Sequence, residues 1–195
     1  NVFNADLVDH PELQVPFTKV NLENFGEAIE SVSEIDDRIN GIDAVIHQAA
    51  IPASGLEVNH KTFRANTLST YNIFQACKVI KINNIVWASS ETVLGLPFDT
   101  YPPYVPIDEN YDPRPESSYS LSKVMGEEMA RQFCRRNPNM KIIGLRYSNI
   151  MEEHDYKQFN SFQNDPYLRK WNFWGYIDAR DVAQACLLAM ESKLK

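Results

Sequence analysis

The chain has 195 residues, of which 44% are hydrophobic and 23% charged, and this composition suits one soluble globular domain with a substantial core. Its net charge of -7 argues against nucleic acid or an anionic membrane surface as a partner, because both require a basic face. No apolar run approaches the ~20 residues that span a bilayer, and no signal peptide is indicated.

The three cysteines are odd in number and far apart in the sequence, so they predict packed thiols in a reducing compartment. They are Cys77, Cys134 and Cys186. The four histidines show no spacing typical of metal ligands. The sequence therefore predicts a cytoplasmic protein without a metal site.

Short β-type runs alternate with longer helical patterns along the first half of the chain. The predicted strands cover residues 2–7, 17–22, 43–50 and 84–90, and the predicted helices cover residues 25–39 and 63–79. The first helix is predicted from a repeat close to 3.6 residues, and Gly41 is expected to end it.

The second half begins with a long loop at residues 97–115, which contains six prolines and three tyrosines. A loop of that length in a compact domain is usually functional. A helix that begins near Tyr119, a strand at 141–147, a polar loop through Lys170 and a last helix at 181–190 follow.

This alternation, with continuously apolar strands, predicts an α/β fold with a doubly wound parallel sheet covered by helices on both faces. Such sheets bind ligands beyond the carboxyl ends of their strands. Polar clusters fall at those ends in this chain: Asp6, residues 48–50, Ser89 with Ser90, and residues 147–149. We therefore expect one ligand site at this edge.

Tyr119 and Lys123 are four residues apart, so a helix places both side chains on one face. A lysine ammonium close to a phenol favours the phenolate and lowers a pKa that is normally about 10. The spacing thus predicts a general base for proton removal from an alcohol. On its own this pair is also common on ordinary solvated helices.

Five further segments stand in order around that pair, and with them the chain resembles the extended short-chain dehydrogenase/reductase family, which includes the nucleotide-sugar epimerases and dehydratases. The segments are residues 45–50, Asn66-Thr67 within 65–77, 89–95, 145–149 and 175–183. The resemblance covers nearly the whole chain and implies a Rossmann-type fold with NAD as cofactor.

The resemblance also implies roles for individual residues. Ser90, Tyr119 and Lys123 would be catalytic: Ser90 binds the substrate oxygen, Tyr119 exchanges its proton, and Lys123 binds the nicotinamide ribose. Asp6 would accept hydrogen bonds from the adenosine ribose, which favours NAD over NADP. The implied cofactor-binding set is Asp6, Asn21, Leu22, Gln48, Ala49, Ala50, Asn66, Ser89, Tyr119, Lys123, Tyr147 and Ser148. The implied substrate-binding set is Ser90, Glu91, Asn149, Arg169 and Arg180.

Two features depart from the family pattern. The seven glycines include no Gly-x-Gly, so the first strand and the phosphate-binding glycine loop are missing. We expect an incomplete NAD-binding Rossmann domain at 1–147, and at 148–195 a partial substrate lobe with the late Rossmann helix. The second departure is Glu91-Thr92, which stands where dehydratases usually have Asp-Glu, and it makes dehydration less favoured.

The sequence therefore predicts an NAD-dependent oxidoreductase or epimerase that acts on a sugar or nucleotide sugar. A uronate or free-sugar dehydrogenase is the alternative, because the short stretch 169–174 offers no obvious diphosphate cradle. A non-catalytic NAD-binding module and an inactive fragment remain open. The resemblance also implies a homodimer through the helices that contain Phe63 and Tyr119.

Overall fold

The chain is described by a computed structural model over residues 2–33 and 41–193. The strands are β1 (Asn4–Asp6), β2 (Phe17–Lys19), β3 (Val45–His47), β4 (Asn84–Ala88), β5 (Lys141–Leu145), β6 (Ile150–Met151) and β7 (Ile177–Asp178). The helices are α1 (Phe25–Ser33), α2 (Asn59–Ile80), α3 (Ser118–Arg136) and α4 (Ala179–Glu191). Short 3₁₀ helices lie at Pro11–Leu13, Glu91–Leu94, Glu153–Ser161 and Pro166–Asn172.

All strand pairs are parallel, as the sequence predicted. Strand β1 pairs with β2, strands β3, β4 and β5 form a second sheet in that order, and β6 pairs with β7. In the doubly wound strand order 3-2-1-4-5-6, the first two pieces correspond to strands 3-2 and 4-5-6. Among the described residues, no strand lies between these two pieces at the position of strand 1.

Strand β4 shows why helices cover both faces of the sheet. Successive side chains of a strand point to opposite faces. Ile85 and Trp87 belong to a core cluster that includes buried residues of α1, α2 and α3, whereas Val86 and Ala88 pack in a second cluster with Cys186 of α4. The doubly wound arrangement predicted from the sequence is therefore present.

Two regions differ from the sequence predictions, and a third prediction, the continuation of α1 to Ile39, lies outside the described residues. Helix α2 begins at Asn59, four residues before the predicted start, because its first turn is polar and carries no apolar repeat. The predicted polar loop through Lys170 is wrong, since it contains β6 and two 3₁₀ helices, the second of which is capped by the Asp165 side chain.

Within 2–33 and 41–193, no helix is both long and apolar enough to cross a bilayer.

Candidate active site

Helix α3 presents the Tyr119-Lys123 pair, and its first turn is fixed by side-chain capping. The Ser117 hydroxyl accepts a hydrogen bond from the Ser120 backbone N–H, and the Ser120 hydroxyl accepts one from the Ser117 backbone N–H. This reciprocal pair is a capping box, which satisfies two backbone donors at the helix start. Tyr119 is therefore held in the first turn of a rigid helix, and its side chain is 8% exposed.

Lys123 is almost completely buried behind Tyr119, with 4% of the residue exposed. Its ammonium donates a hydrogen bond to the Ala88 carbonyl at 2.7 Å, at the carboxyl end of β4. It lies 5.5 Å from the ring centroid of Trp87 and 5.7 Å from that of Tyr119. Burial lowers the pKa of Lys123 to about 8.

Ser90 lies at the start of the 3₁₀ helix Glu91–Leu94, and its hydroxyl is close enough to the Tyr119 phenol to influence the pKa of that phenol. The Ser90 hydroxyl oxygen accepts hydrogen bonds from the Thr92 backbone N–H at 3.2 Å and from the Thr92 hydroxyl at 3.0 Å. Sequence reasoning missed Thr92. A threonine two residues after a serine that ends a strand is a common local capping pattern, and it was the available signal.

The expectation that Lys123 lowers the pKa of Tyr119 is wrong for the cofactor-free chain. Burial raises the pKa of Tyr119, because a charged phenolate is disfavoured away from water, and the nearby Ser90 hydroxyl opposes this only in part. The Lys123 ammonium is directed to the Ala88 carbonyl instead. Tyr119 is therefore a protonated phenol in the free chain at neutral pH.

We predict that Lys123→Met raises the free energy of unfolding at pH 7 by about 1–2 kcal/mol. Removing a buried charge relieves its desolvation, and this gain exceeds the loss of one hydrogen bond. Between the folded pKa of about 8 and the ordinary lysine pKa of 10.5, the unfolded chain binds more protons than the folded chain. The stability of the unsubstituted protein should therefore rise with pH across that window, and the variant should lack this rise.

Urea denaturation at pH 7, 8 and 9 measures both effects. Exposed Lys78, changed to Met, is the matched control and should leave stability and its pH dependence unchanged. A Lys123→Met variant that is less stable at pH 7 would contradict the prediction.

A cavity of about 270 Å³ lies at the carboxyl ends of β1, β2 and β3. Seven of the residues predicted to bind cofactor line it together: Asp6, Asn21, Leu22, Gln48, Ala49, Ala50 and Asn66. The other five predicted cofactor residues, Ser89, Tyr119, Lys123, Tyr147 and Ser148, do not line it. The tertiary structure thus brings these seven residues of the predicted cofactor-binding set together around one cavity.

Asn66, which the resemblance assigns to cofactor binding, is hydrogen-bonded to the backbone that follows β3. Its carboxamide oxygen accepts from the Ile51 backbone N–H at 2.8 Å, and its amide donates to the Ile51 carbonyl at 3.0 Å. The amide also lies 3.3 Å from the Ser122 hydroxyl. Asn66 therefore fixes the backbone that follows β3 and connects it to α3.

Gln48 and Tyr147 contact each other and connect β3 to the region after β5. The Gln48 amide lies 3.4 Å from the Tyr147 hydroxyl and 3.4 Å from the Cys186 sulfur. The Tyr147 hydroxyl is 3.0 Å from the same sulfur. Burial and the Cys186 contact raise the pKa of Tyr147, so its phenol stays protonated.

Ser89 was predicted to contact cofactor, but its hydroxyl points towards α3. It donates a hydrogen bond of 2.6 Å to the Glu127 carboxylate, which also accepts from Arg146. Sequence reasoning missed Glu127. It stands four residues after Lys123, so continuation of the i, i+4 pattern was the signal that could have found it.

Glu91 occupies a polar cluster next to Ser90. Burial raises its pKa, while the nearby polar groups of Ser148 and Asn172 and the positive charge of Arg169 oppose the rise. Arg169 is 8% exposed and donates to the Gly175 carbonyl at 2.9 Å. The structure thus brings together two of the predicted substrate residues, Glu91 and Arg169.

Arg180 and Asn149 lie elsewhere. The Arg180 side chain is 86% exposed and donates to both carboxylate oxygens of Asp178 at 2.8 Å. Together with Tyr156 and Tyr176, these two residues line a separate open cavity of about 590 Å³. Asn149 is exposed, and its backbone carbonyl accepts from the Ile177 N–H beside β6 and β7. The structure does not join Arg180 to the Glu91 cluster.

Trp87 and His47 are core residues close to Lys123. Trp87 is 1% exposed and His47 is 3% exposed. Burial and the positive charge of Lys123 lower the pKa of His47 to about 3, so its imidazole is neutral. In the part of the chain that the structure describes, no group of three or more His, Cys, Asp or Glu side chains is arranged to hold a metal ion.

The fold and the site define a Rossmann-type α/β protein with a Ser-Tyr-Lys set at the carboxyl edge of its sheet. A family model described as the NAD dependent epimerase/dehydratase family matches residues 8–195. The chain belongs to this NAD-dependent family.

The chain is 29% identical over 191 residues to a UDP-glucose 4-epimerase from Cyamopsis tetragonoloba, a match that covers 94% of this chain and 52% of that protein. It is 26% identical to the UDP-glucose 4-epimerase of Bifidobacterium longum, solved in complex with NAD⁺ and UDP, with a TM-score of 0.59 over 70% of this chain and 38% of that one. A short-chain dehydrogenase/reductase superfamily protein from Agrobacterium tumefaciens, solved with bound NAD, shares the fold, with a TM-score of 0.72 at 20% identity over 97% of this chain and 66% of that one.

The chain spans 31–52% of the length of the curated relatives that it matches.

Proposed function

We propose that this chain belongs to an NAD-dependent sugar epimerase, with a nucleotide sugar of the UDP type as substrate. One observation carries the proposal. The Tyr119 phenol lies near the Ser90 hydroxyl, and the buried Lys123 ammonium lies 5.7 Å from the centroid of the Tyr119 ring. Relatives named as UDP-glucose 4-epimerases support the substrate class.

The residues around the 270 Å³ cavity fit the adenosine part of NAD. Asp6 offers carboxylate oxygens to ribose hydroxyls, and the small side chains of Ala49 and Ala50 allow close approach of a ligand to the backbone. Asn21 and Leu22 would flank adenine, and Gln48 and Asn66 would hold the surrounding backbone. Lys123, Tyr147 and Ser148 would contact the nicotinamide half, with Ser89 contributing through its backbone.

The protein's own groups supply the proton transfer. Tyr119 takes the proton from a substrate hydroxyl, and Ser90 donates a hydrogen bond to the same oxygen, so that negative charge on it is stabilised. NAD⁺, when bound, would accept the hydride from the carbon that carries this hydroxyl. The Lys123 ammonium, held close to the Tyr119 ring, favours the phenolate once the site is closed from water.

Residues 148–195 would contribute the substrate side of the site, following the Rossmann part at 1–147. Glu91 and Arg169 would bind polar groups of the sugar next to Ser90, and Asn149 would approach it from the β6 side. We propose Arg180 as a contact farther from the reacting carbon, because it lines the separate 590 Å³ cavity.

A free sugar or a uronate is the second candidate substrate. The guanidinium groups of both predicted cations have protein partners, since Arg169 donates to Gly175 and Arg180 pairs with Asp178. A site that needs these donors for a diphosphate would have to break such contacts. A dehydrogenase that releases the keto product would use the same Ser90 and Tyr119 geometry.

The proposed cofactor site is tested by calorimetric titration of the protein with NADH and with NADPH. We expect NADH to bind at least about tenfold more tightly, because a 2′-phosphate would lie against the Asp6 carboxylate, and a like-charge contact costs one or more kcal/mol. Asp6→Asn should reduce this preference. Exposed Asp43, changed to Asn, is the matched control outside the cavity. A preference for NADH over NADPH that is unchanged in the Asp6→Asn variant would contradict the assignment of Asp6.

The reaction itself is followed by chromatography of UDP-glucose and UDP-galactose mixtures, with uronates and free sugars as parallel substrates. Interconversion supports the epimerase, and NADH formation from a uronate supports the dehydrogenase. NADH binding without turnover of any sugar identifies a non-catalytic module, and failure to bind NADH identifies an inactive fragment.

We also propose a homodimer in the cytoplasm, formed by α2 and α3 of two subunits. Leu68 and Tyr71 on α2 and Leu121 and Met125 on α3 are large apolar side chains that remain exposed. The cytoplasmic location rests on the three cysteines, which are free thiols. Sedimentation equilibrium that shows only a monomer at micromolar concentration would contradict the dimer.

A further inference from the structure

The inner face of α3 continues beyond the Tyr119-Lys123 pair to Glu127. These three residues are spaced at i, i+4 and i+8, so they lie along one face of the helix. The Glu127 side chain is 10% exposed, whereas that of its neighbour Glu128 is 50% exposed. A buried carboxylate is costly unless it is paired and hydrogen-bonded, so its partners indicate what it does.

The Glu127 carboxylate holds groups from two other elements. One oxygen accepts from the Ser89 hydroxyl at 2.6 Å and from Arg146 Nε at 2.8 Å. The other oxygen accepts from a terminal nitrogen of Arg146 at 2.8 Å. Arg146 therefore binds the carboxylate through two parallel hydrogen bonds, which fixes geometry as well as charge.

Ser89 and Arg146 stand next to the residues of the proposed reaction. Ser89 directly precedes Ser90 after β4, and Arg146 follows β5 and precedes Tyr147. A backbone hydrogen bond of 2.8 Å from the Glu91 N–H to the Tyr147 carbonyl joins the same two loops. One carboxylate thus ties the carboxyl ends of β4 and β5 to the helix that carries Tyr119.

We infer that Glu127 is a positioning residue that holds the Ser90 hydroxyl in its place near the Tyr119 phenol. It acts through Ser89 and Arg146 and touches neither substrate nor cofactor. The inference rests on the proposed function for its catalytic consequence. Its geometric part, the Ser90–Tyr119 contact, is measurable without turnover.

The test uses Glu127→Gln, with Glu128→Gln as the matched surface control. A glutamine amide would face the Arg146 guanidinium as donor against donor, so Ser89 and Ser90 should shift. We expect kcat to fall by about 10- to 100-fold with a smaller change in KM, because a misplaced group costs that much in an oriented site. Glu128→Gln should stay within about twofold of the unsubstituted protein.

A double-substitution cycle separates positioning from a general structural effect. If Glu127 acts through Ser90, Glu127→Gln should lower kcat little further in a Ser90→Ala background. Fully multiplicative losses would overturn the inference. Arg146→Lys, which keeps the charge but not the two parallel hydrogen bonds, should reproduce the loss and provides a second variant if Glu127→Gln does not fold.

Carbon-13 NMR of Cζ-labelled tyrosine reports the Ser90–Tyr119 contact at neutral pH, and Tyr119→Phe assigns the signal. The Tyr119 signal should move in Glu127→Gln as it does in Ser90→Ala, and should stay in place in Glu128→Gln. An unmoved signal overturns the inference. A moved signal in a protein that turns over no sugar overturns only the proposed function.

Discussion

Turnover should fall by about 10²- to 10⁴-fold when Tyr119 is replaced by phenylalanine, because proton transfer by a positioned side chain contributes that much to a rate. The substitution removes only the hydroxyl of a side chain that is 8% exposed, so the ring still packs in the first turn of α3. Binding of NADH should change by no more than a few-fold.

The measurement is steady-state epimerisation together with calorimetric NADH binding. Tyr71→Phe, the same change on α2 outside the site, is the control and should keep full activity. Because burial raises the pKa of Tyr119 in the cofactor-free chain, kcat/KM of the unsubstituted protein should rise with pH from neutral into the alkaline range. Equal turnover in Tyr119→Phe would rule out Tyr119 as the acid–base group.

Gly126→Ala should destabilise the fold by about 2–3 kcal/mol, which is a typical cost for overpacking a core. A Cβ at this position would stand 2.4 Å from Cζ2 and 2.6 Å from Cη2 of Trp87. Trp87 is 1% exposed and its ring also lies against Gly144, so it has little room to move. Helix propensity alone predicts the opposite sign, since alanine is favoured over glycine by about 1 kcal/mol in a helix.

Urea denaturation of Gly126→Ala, Trp87→Phe and the double variant tests this contact. A phenylalanine ring is smaller than an indole, so the added methyl group should then cost little or become stabilising through helix propensity. An unchanged loss in the Trp87→Phe background would show that the clash is elsewhere. Lys123 lies one turn before Gly126 and its ammonium lies over Trp87, so Gly126→Ala should also lower turnover.

Much of the fold was predictable because the hydrophobic pattern is strong where strands are buried on both faces. Strand β4 shows this: its residues Ile85 to Ala88 are all apolar, since one pair faces α2 and α3 and the other faces α4. The region after β5 was not predictable in the same way. Its two 3₁₀ helices are held by local caps such as Asp165, and a short capped helix has no periodic apolar face to read.

The candidate site divides along the same line. Tyr119, Lys123 and Ser90 were predicted as site residues from spacing and motif, because a helical repeat and a strand end fix which side chains share a face. The sequence did not show that the Asn66 side chain is hydrogen-bonded to the Ile51 backbone, or that the Ser89 hydroxyl donates to Glu127. Both partners come from segments distant in the chain.

By itself the sequence determined the parallel α/β architecture, the family and the helical placement of Tyr119 and Lys123, because these depend on local periodicity and short-range motifs. Only the tertiary structure decided the ionisation of the site. Burial of Tyr119 and Lys123 disfavours their charged forms. The Lys123 ammonium donates its hydrogen bond to the Ala88 carbonyl, whereas sequence reasoning had placed it against the Tyr119 phenol. Desolvation depends on what packs around a side chain, and residues far apart in the sequence provide that packing.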